Sequence, residues 1–336
     1  MTIFKSLISL IPVFLFLLMM ISLDSFKLVR KKLILFCLAW GLLSAGLSYF
    51  FNTYLNEYLH FGIEKYSNFV APILEEALKF ALLWFLIRKN KVGFMIDGAI
   101  YGFAIGAAFS FVENLYYLFL FNSEGGSLLI WIIRGFGTAI MHGGATAIMG
   151  IVCMSALNRQ SHLVVATFLG GISAIILHSC YNQLLAFPLL AAAFIIFITP
   201  VLITTIFMMN EISIRNWLEL EFNSEVNMLI MIKKGMFSQT KTGSYLVSIR
   251  TYFPAEVVVD MYCYISLYLE LSMKAKSLLM LKEVGLSVPQ DPGISSKLLE
   301  LNALRKAIGL AGYLAISPVL KMTPKDLWKL SLLDHQ

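Results

Sequence analysis

The chain has 336 residues, of which 59% are hydrophobic and only 14% charged, and its mean hydropathy is +0.79. An apolar share this high excludes an ordinary soluble domain and leaves a protein that crosses a membrane several times. The net charge of +6 comes without a nucleic-acid-binding motif; the basic residues sit beside apolar runs, where they act as topology signals, and no nucleic acid is expected as a partner.

In chain order, runs long enough to cross a bilayer at about 20 residues each fall at 6–23, 33–51, 69–87, 96–121, 128–157, 163–186 and 187–209. They predict an all-α fold, a polytopic membrane helix bundle of about seven spans. The first run is short, but only Lys5 precedes it, no small-x-small cleavage site follows, and a basic cluster lies after it, so it is expected to remain as an anchor. Lys27, Arg30, Lys31, Lys32, Arg88, Lys89, Lys91 and Arg159 fall on one side of such a bundle, against Lys5, Lys65 and Arg134 on the other. The positive-inside rule then places the N-terminus outside and the C-terminus in the cytoplasm. Cys37, Cys153, Cys180 and Cys263 have no paired spacing and read as small hydrophobes.

After Met209 the composition changes, and charged residues and prolines accumulate. A transmembrane bundle over 1–209 is therefore expected to be followed by a small helical cytoplasmic domain over 210–336. Within it, residues 254–286 and 295–316 read as amphipathic helices, and "SVPQDPG" between them as a loop, since its prolines and glycine continue neither helix.

Ionisable groups inside the apolar runs carry the functional signal, because a charge at the centre of a membrane helix costs about 2.5–3.5 kcal/mol on the insertion scale. The third run holds Glu75, Glu76 and Lys79, the fourth Glu113, the fifth His142 and the sixth His178. Counted inward from Asn68, Asn122 and Ser123, Arg134 and Phe187, the glutamates and histidines lie at one depth, about 10–14 Å below the outer boundary at 1.5 Å per residue. Gly98, Gly102 and Gly106 repeat every four residues in the fourth run, and Gly135, Gly143, Gly144, Gly150, Gly170 and Gly171 lighten the fifth and sixth, so these helices are built to approach closely. Glu113 shares the face of Gly106 and is expected to point into the bundle. Glu75 and Lys79 are four apart, a spacing that predicts an ion pair and leaves Glu76 without that partner.

Two carboxylates and two imidazoles suit the activation of water, with a glutamate as general base. Two histidines and a glutamate equally suit a catalytic zinc with one open position. A secondary transporter with a Glu/His proton or ion relay would bury the same groups, although no internal repeat pairs early and late spans; a receptor or scaffold acting through its cytoplasmic domain is the third class.

The order E-E-x-x-K at Glu75 to Lys79, F-x-x-x-E-N at Phe109 to Asn114, then His142 and His178 on successive runs resembles the PrsW-type intramembrane proteases, related to the type II CAAX prenyl endopeptidases. The resemblance covers roughly residues 65–185. The CAAX branch carries a histidine where this chain has Glu113 and an arginine after its glutamate pair, while His178 and Asn182 echo the CAAX pattern. The resemblance implies hydrolysis of a peptide bond in a membrane-anchored protein, of anti-sigma-factor type, inside or at the edge of a bacterial cytoplasmic membrane. By analogy Glu75 or Glu76 is the general base, Glu113, His142 and His178 complete a water site or hold a metal such as zinc, Asn114 and Asn182 are oxyanion donors, and Lys79 is an electrostatic partner.

Overall fold

The computed structural model describes residues 2–24, 26–121, 128–184, 187–286, 291, 293–317, 320, 328, 330 and 333, and among these there are helices and no strands. Two compact units divide the chain, Met1–Asn210 and Glu211–Gln336.

The first unit contains α1 (Thr2–Ser22), α2 (Lys31–Leu59), α3 (Ala71–Arg88), α4 (Met95–Phe121), α5 (Ala139–Asn158), α6 (Leu163–Leu184) and the first part of α7 (Pro188–Lys233). Six helices among the described residues are long and apolar enough to cross a membrane. The run expected at 69–87 forms α3, an apolar helix that its charged residues Glu75, Glu76, Lys79 and Arg88 take outside that set. The chain enters α3 through a π-helical turn, Tyr66–Val70, and enters α5 through another, Ile133–Thr138. Such widened turns redirect side chains and recur at functional sites.

α5 lies at the centre, buried along almost its whole length. It meets α4 along the four-residue glycine repeat. A Cβ on Gly98 would come within 3.0 Å of Gly150, one on Gly102 within 2.3 Å of the Thr146 carbonyl oxygen, and one on Gly106 within 2.2 Å of the His142 carbonyl oxygen. Only hydrogen side chains permit this approach, and the third rung fixes the backbone of His142 against α4.

α7 continues to Lys233, well past the span limit of 209, because no proline or glycine interrupts the chain between Pro200 and Gly235; polar residues change what surrounds a helix without ending it. Gly235, at φ +71°, then takes the left-handed position that follows a helix end.

In the second unit, α8 (Lys241–Ile249) is capped by Thr240, whose hydroxyl oxygen accepts from the Gly243 N–H at 2.9 Å. α9 (Ala255–Glu283) supplies the core through Met261, Ile265, Leu269 and Ala275, packed with Leu301, Ile308 and Ile316 of α10 (Gly293–Ile316). The stretch read as one helix over 295–316 contains a break at Gly309, where φ is +65°. The loop expected at 287–293 falls outside the described residues apart from Asp291 and Gly293. Lys276 is fully buried, 3.0 Å from Glu225 Oε2 and over the Trp217 ring, while the Ser272 hydroxyl donates to Glu225 Oε1 at 2.6 Å.

Candidate active site

The first layer of the site belongs to α3. Glu76 and Lys79 are one helical turn apart, and both side chains have no accessible surface. The Lys79 ammonium donates to Glu76 Oε1 at 2.7 Å. The expected Glu75–Lys79 pair is thus replaced by Glu76–Lys79: the three-residue step turns Glu76 inward with Lys79, whereas Glu75 lies on the flank of the helix and accepts from the Asn52 amide of α2 at 3.3 Å. Tyr66, in the π-helical turn, donates to the Asn52 carbonyl oxygen at 2.9 Å and steadies that amide.

α5 and α6 add the imidazoles. Lys79 Nζ lies 2.9 Å from His142 Nδ1; an ammonium has no lone pair, so it donates and Nδ1 accepts. His178 Nδ1 lies 2.8 Å from Glu76 Oε1 and donates to that carboxylate, which leaves the lone pair on Nε2, 3.9 Å from Glu75 Oε2. The two rings stand edge to face, 4.7 Å apart. Thr146 completes the surroundings of Glu76 with a long contact of 3.5 Å to Oε2.

α4 contributes Glu113. Its Oε1 accepts from Arg134 at 2.9 Å, and its buried Oε2 lies 2.7 Å from His142 Nε2 without the alignment of a hydrogen bond. In the sequence Arg134 had served as a boundary marker and in the charge count; it lies in the π-helical turn at 133–138, and its guanidinium reaches Glu113. The sequence signal available was an arginine two turns before a buried histidine. Phe109 lies over Lys79 Nζ at 4.2 Å and beside the His142 ring, closing off the Glu76–Lys79 pair.

Five groups from four helices therefore meet, Glu75, Glu76, Glu113, His142 and His178, with Lys79 among them. Asn114 and Asn182 are engaged elsewhere. The Asn114 amide donates to the Ser9 carbonyl at 2.9 Å and its oxygen accepts from Arg134, while the Asn182 amide donates to the Ser67 carbonyl at 2.9 Å. These contacts tie α1 to α4 and α6 to the turn before α3.

Donor atoms of Glu75, His142 and His178 lie within 4.8 Å of one another. Two imidazoles and one carboxylate suit a catalytic divalent ion with a position left open, with Glu75 in the place that the sequence reading gave to Glu113. The residues present suit a metal.

Neither a curated protein nor a solved structure matches the chain. The family described as PrsW family intramembrane metalloproteases matches residues 30–209, more than half of the chain and all four helices that carry the cluster. With buried Glu and His groups meeting inside a bundle of apolar helices, the chain is an integral membrane peptidase and belongs to the PrsW family of intramembrane metalloproteases.

Proposed function

We propose that this protein cleaves a peptide bond of a membrane-anchored protein at the cluster around Glu75, His142 and His178, with the roles divided between two layers. The supporting observation is the difference in access: Glu76 and Lys79 are sealed, whereas the side chains of Glu75 and Glu113 are 16% and 28% exposed.

Glu75, His142 and His178 would hold the divalent ion, which when bound would supply Lewis-acid polarisation of the scissile carbonyl and a more acidic water. Glu76 orients His178 by accepting its Nδ1–H, and Lys79 neutralises Glu76 and holds Nδ1 of His142, so that Nε2 of His142 would reach an ion only on giving up its proton. Both act by positioning. Carboxylate–histidine support of this kind keeps the ligating nitrogen aimed and basic. Glu113, ion-paired with Arg134, takes the proton of the attacking water and delivers it to the leaving amine as the C–N bond breaks. The general base therefore moves from the Glu75–Glu76 pair to Glu113, because Glu76 has no path to substrate and Glu75 stands among the ligand donors.

The resemblance to PrsW-type proteases supports an anti-sigma-factor-like, single-span substrate and a bacterial cytoplasmic membrane. The basic-residue count supports an outside N-terminus and a cytoplasmic C-terminus. The test is to purify wild type, Glu113→Gln and His178→Ala and measure metal content beside cleavage of a single-span substrate. Glu113→Gln should retain metal and lose cleavage, whereas His178→Ala should lose both. Full cleavage by Glu113→Gln would refute the assignment of the base.

A further inference from the structure

Glu75 and Glu113 open onto a groove of about 370 Å³ between α2 and α4. Its walls include Ala45, Gly46 and Tyr49 from α2 and Phe109, Val112 and Tyr116 from α4. The Tyr49 and Tyr116 rings meet at 5.3 Å from opposite helices, and both are exposed. Outside this pair, Phe50 and Phe119 present apolar faces. The groove is thus lined in part by an exposed aromatic pair.

Gly46 has an unusual place in that wall. A Cβ on Gly41 of the same helix would strike the Ile105 carbonyl oxygen at 2.3 Å, so helix packing requires that glycine; a Cβ on Gly46 meets nothing within 4 Å. The missing side chain at 46 serves no helix contact. What it leaves is open space in the groove that Glu75 and Glu113 also line.

The geometry points to this groove as the subsite for the substrate residue next to the scissile bond, with Gly46 as the position that sets how large that residue is. This rests on the peptidase reading above. The occupant is an unwound stretch of membrane-protein chain bearing an apolar side chain of leucine or phenylalanine size. Apolar character follows from Ala45, Phe109 and Val112, and the aromatic rings favour flat or branched apolar groups. The carboxylates at the floor disfavour an acidic side chain. Unwinding follows from the chemistry: in a helix the scissile carbonyl is already hydrogen-bonded and sheathed by side chains.

The experiment uses full-length enzyme in liposomes with three single-span model proteins that differ only in the residue before a helix-breaking Gly-Pro step: Ala, Leu or Phe. Wild type should prefer Leu and Phe. Gly46→Leu should lower the Leu-to-Ala ratio of kcat/KM by at least about tenfold, within the range that pocket size commands, and Gly46→Ala should fall between. In parallel, benzoylphenylalanine in place of Val112 in Glu75→Gln enzyme should crosslink to the Leu probe near the Gly-Pro step, and the crosslink should be lost when Gly46→Leu is added. Cleavage with an unchanged ratio in both Gly46 variants would overturn the subsite and leave the peptidase standing. A Gly46-dependent crosslink without cleavage by wild type would overturn the peptidase reading and support the groove as a chain-binding site. Absence of both would overturn both.

Discussion

At the scale of residues, the two adjacent glutamates have different surroundings because a helix turns by about 100° between them. Glu76 faces Lys79 and His178 with no solvent access, and Glu75 faces Asn52 and the groove. Glu76→Gln should therefore weaken metal affinity by about 10–100-fold, the usual consequence of losing a carboxylate behind a ligating histidine. Excess metal should restore part of its cleavage, and should restore none to Glu113→Gln; titrating each variant with zinc while following cleavage separates them. Lys79 makes a second prediction. Because its ammonium donates to His142 Nδ1, a neutral His142 carries its proton on Nε2. Binding an ion at Nε2 must displace that proton, so metal uptake should release protons and weaken as pH falls. Calorimetry in two buffers of different ionisation enthalpy reads the proton count directly, and no difference between buffers would contradict the hydrogen bond from Lys79.

At the scale of elements, the cluster depends on how closely α4 and α5 approach. Gly106 lies against the His142 carbonyl, so a side chain there displaces the backbone that carries the imidazole. Gly106→Val should cost about 1–3 kcal/mol, as overpacking typically does, and should reduce cleavage more than the lost folded fraction explains. Comparing activity per folded molecule with thermal stability tests this; a loss matched entirely by unfolding would mean that His142 is placed by other contacts. The four-residue glycine repeat was legible in the sequence because its periodicity matches a helix face. The π-helical turns at 66–70 and 133–138 were not, since no local residue pattern demands the extra residue; they arise where α3 and α5 must present both a packing face and an inward polar group.

At the scale of the molecule, orientation is set by charge. If the basic residues around 27–32 and 88–91 face the cytoplasm, single cysteines substituted at 57 and 240 in a background without native cysteines should label differently. Membrane-impermeant maleimide applied from outside should reach position 57 and spare position 240, and the reverse would invert the topology.

The sequence alone determined the class of protein, its helical character and which ionisable groups lie inside apolar runs. Hydropathy is a property of composition, and charges buried in apolar runs stand out against it, so Glu75, Glu76, Lys79, Glu113, His142 and His178 were visible without a structure. Family membership then separated a peptidase from a transporter, which composition could not do, since both bury the same groups. Only the tertiary structure decided which glutamate pairs with Lys79, that Arg134 anchors Glu113, and that Asn114 and Asn182 tie helices together. The physical reason is that sequence spacing fixes angular position around one helix, while partners depend on the rotation and depth of neighbouring helices. Those are set by contacts such as the Gly106–His142 approach, between residues far apart in the chain.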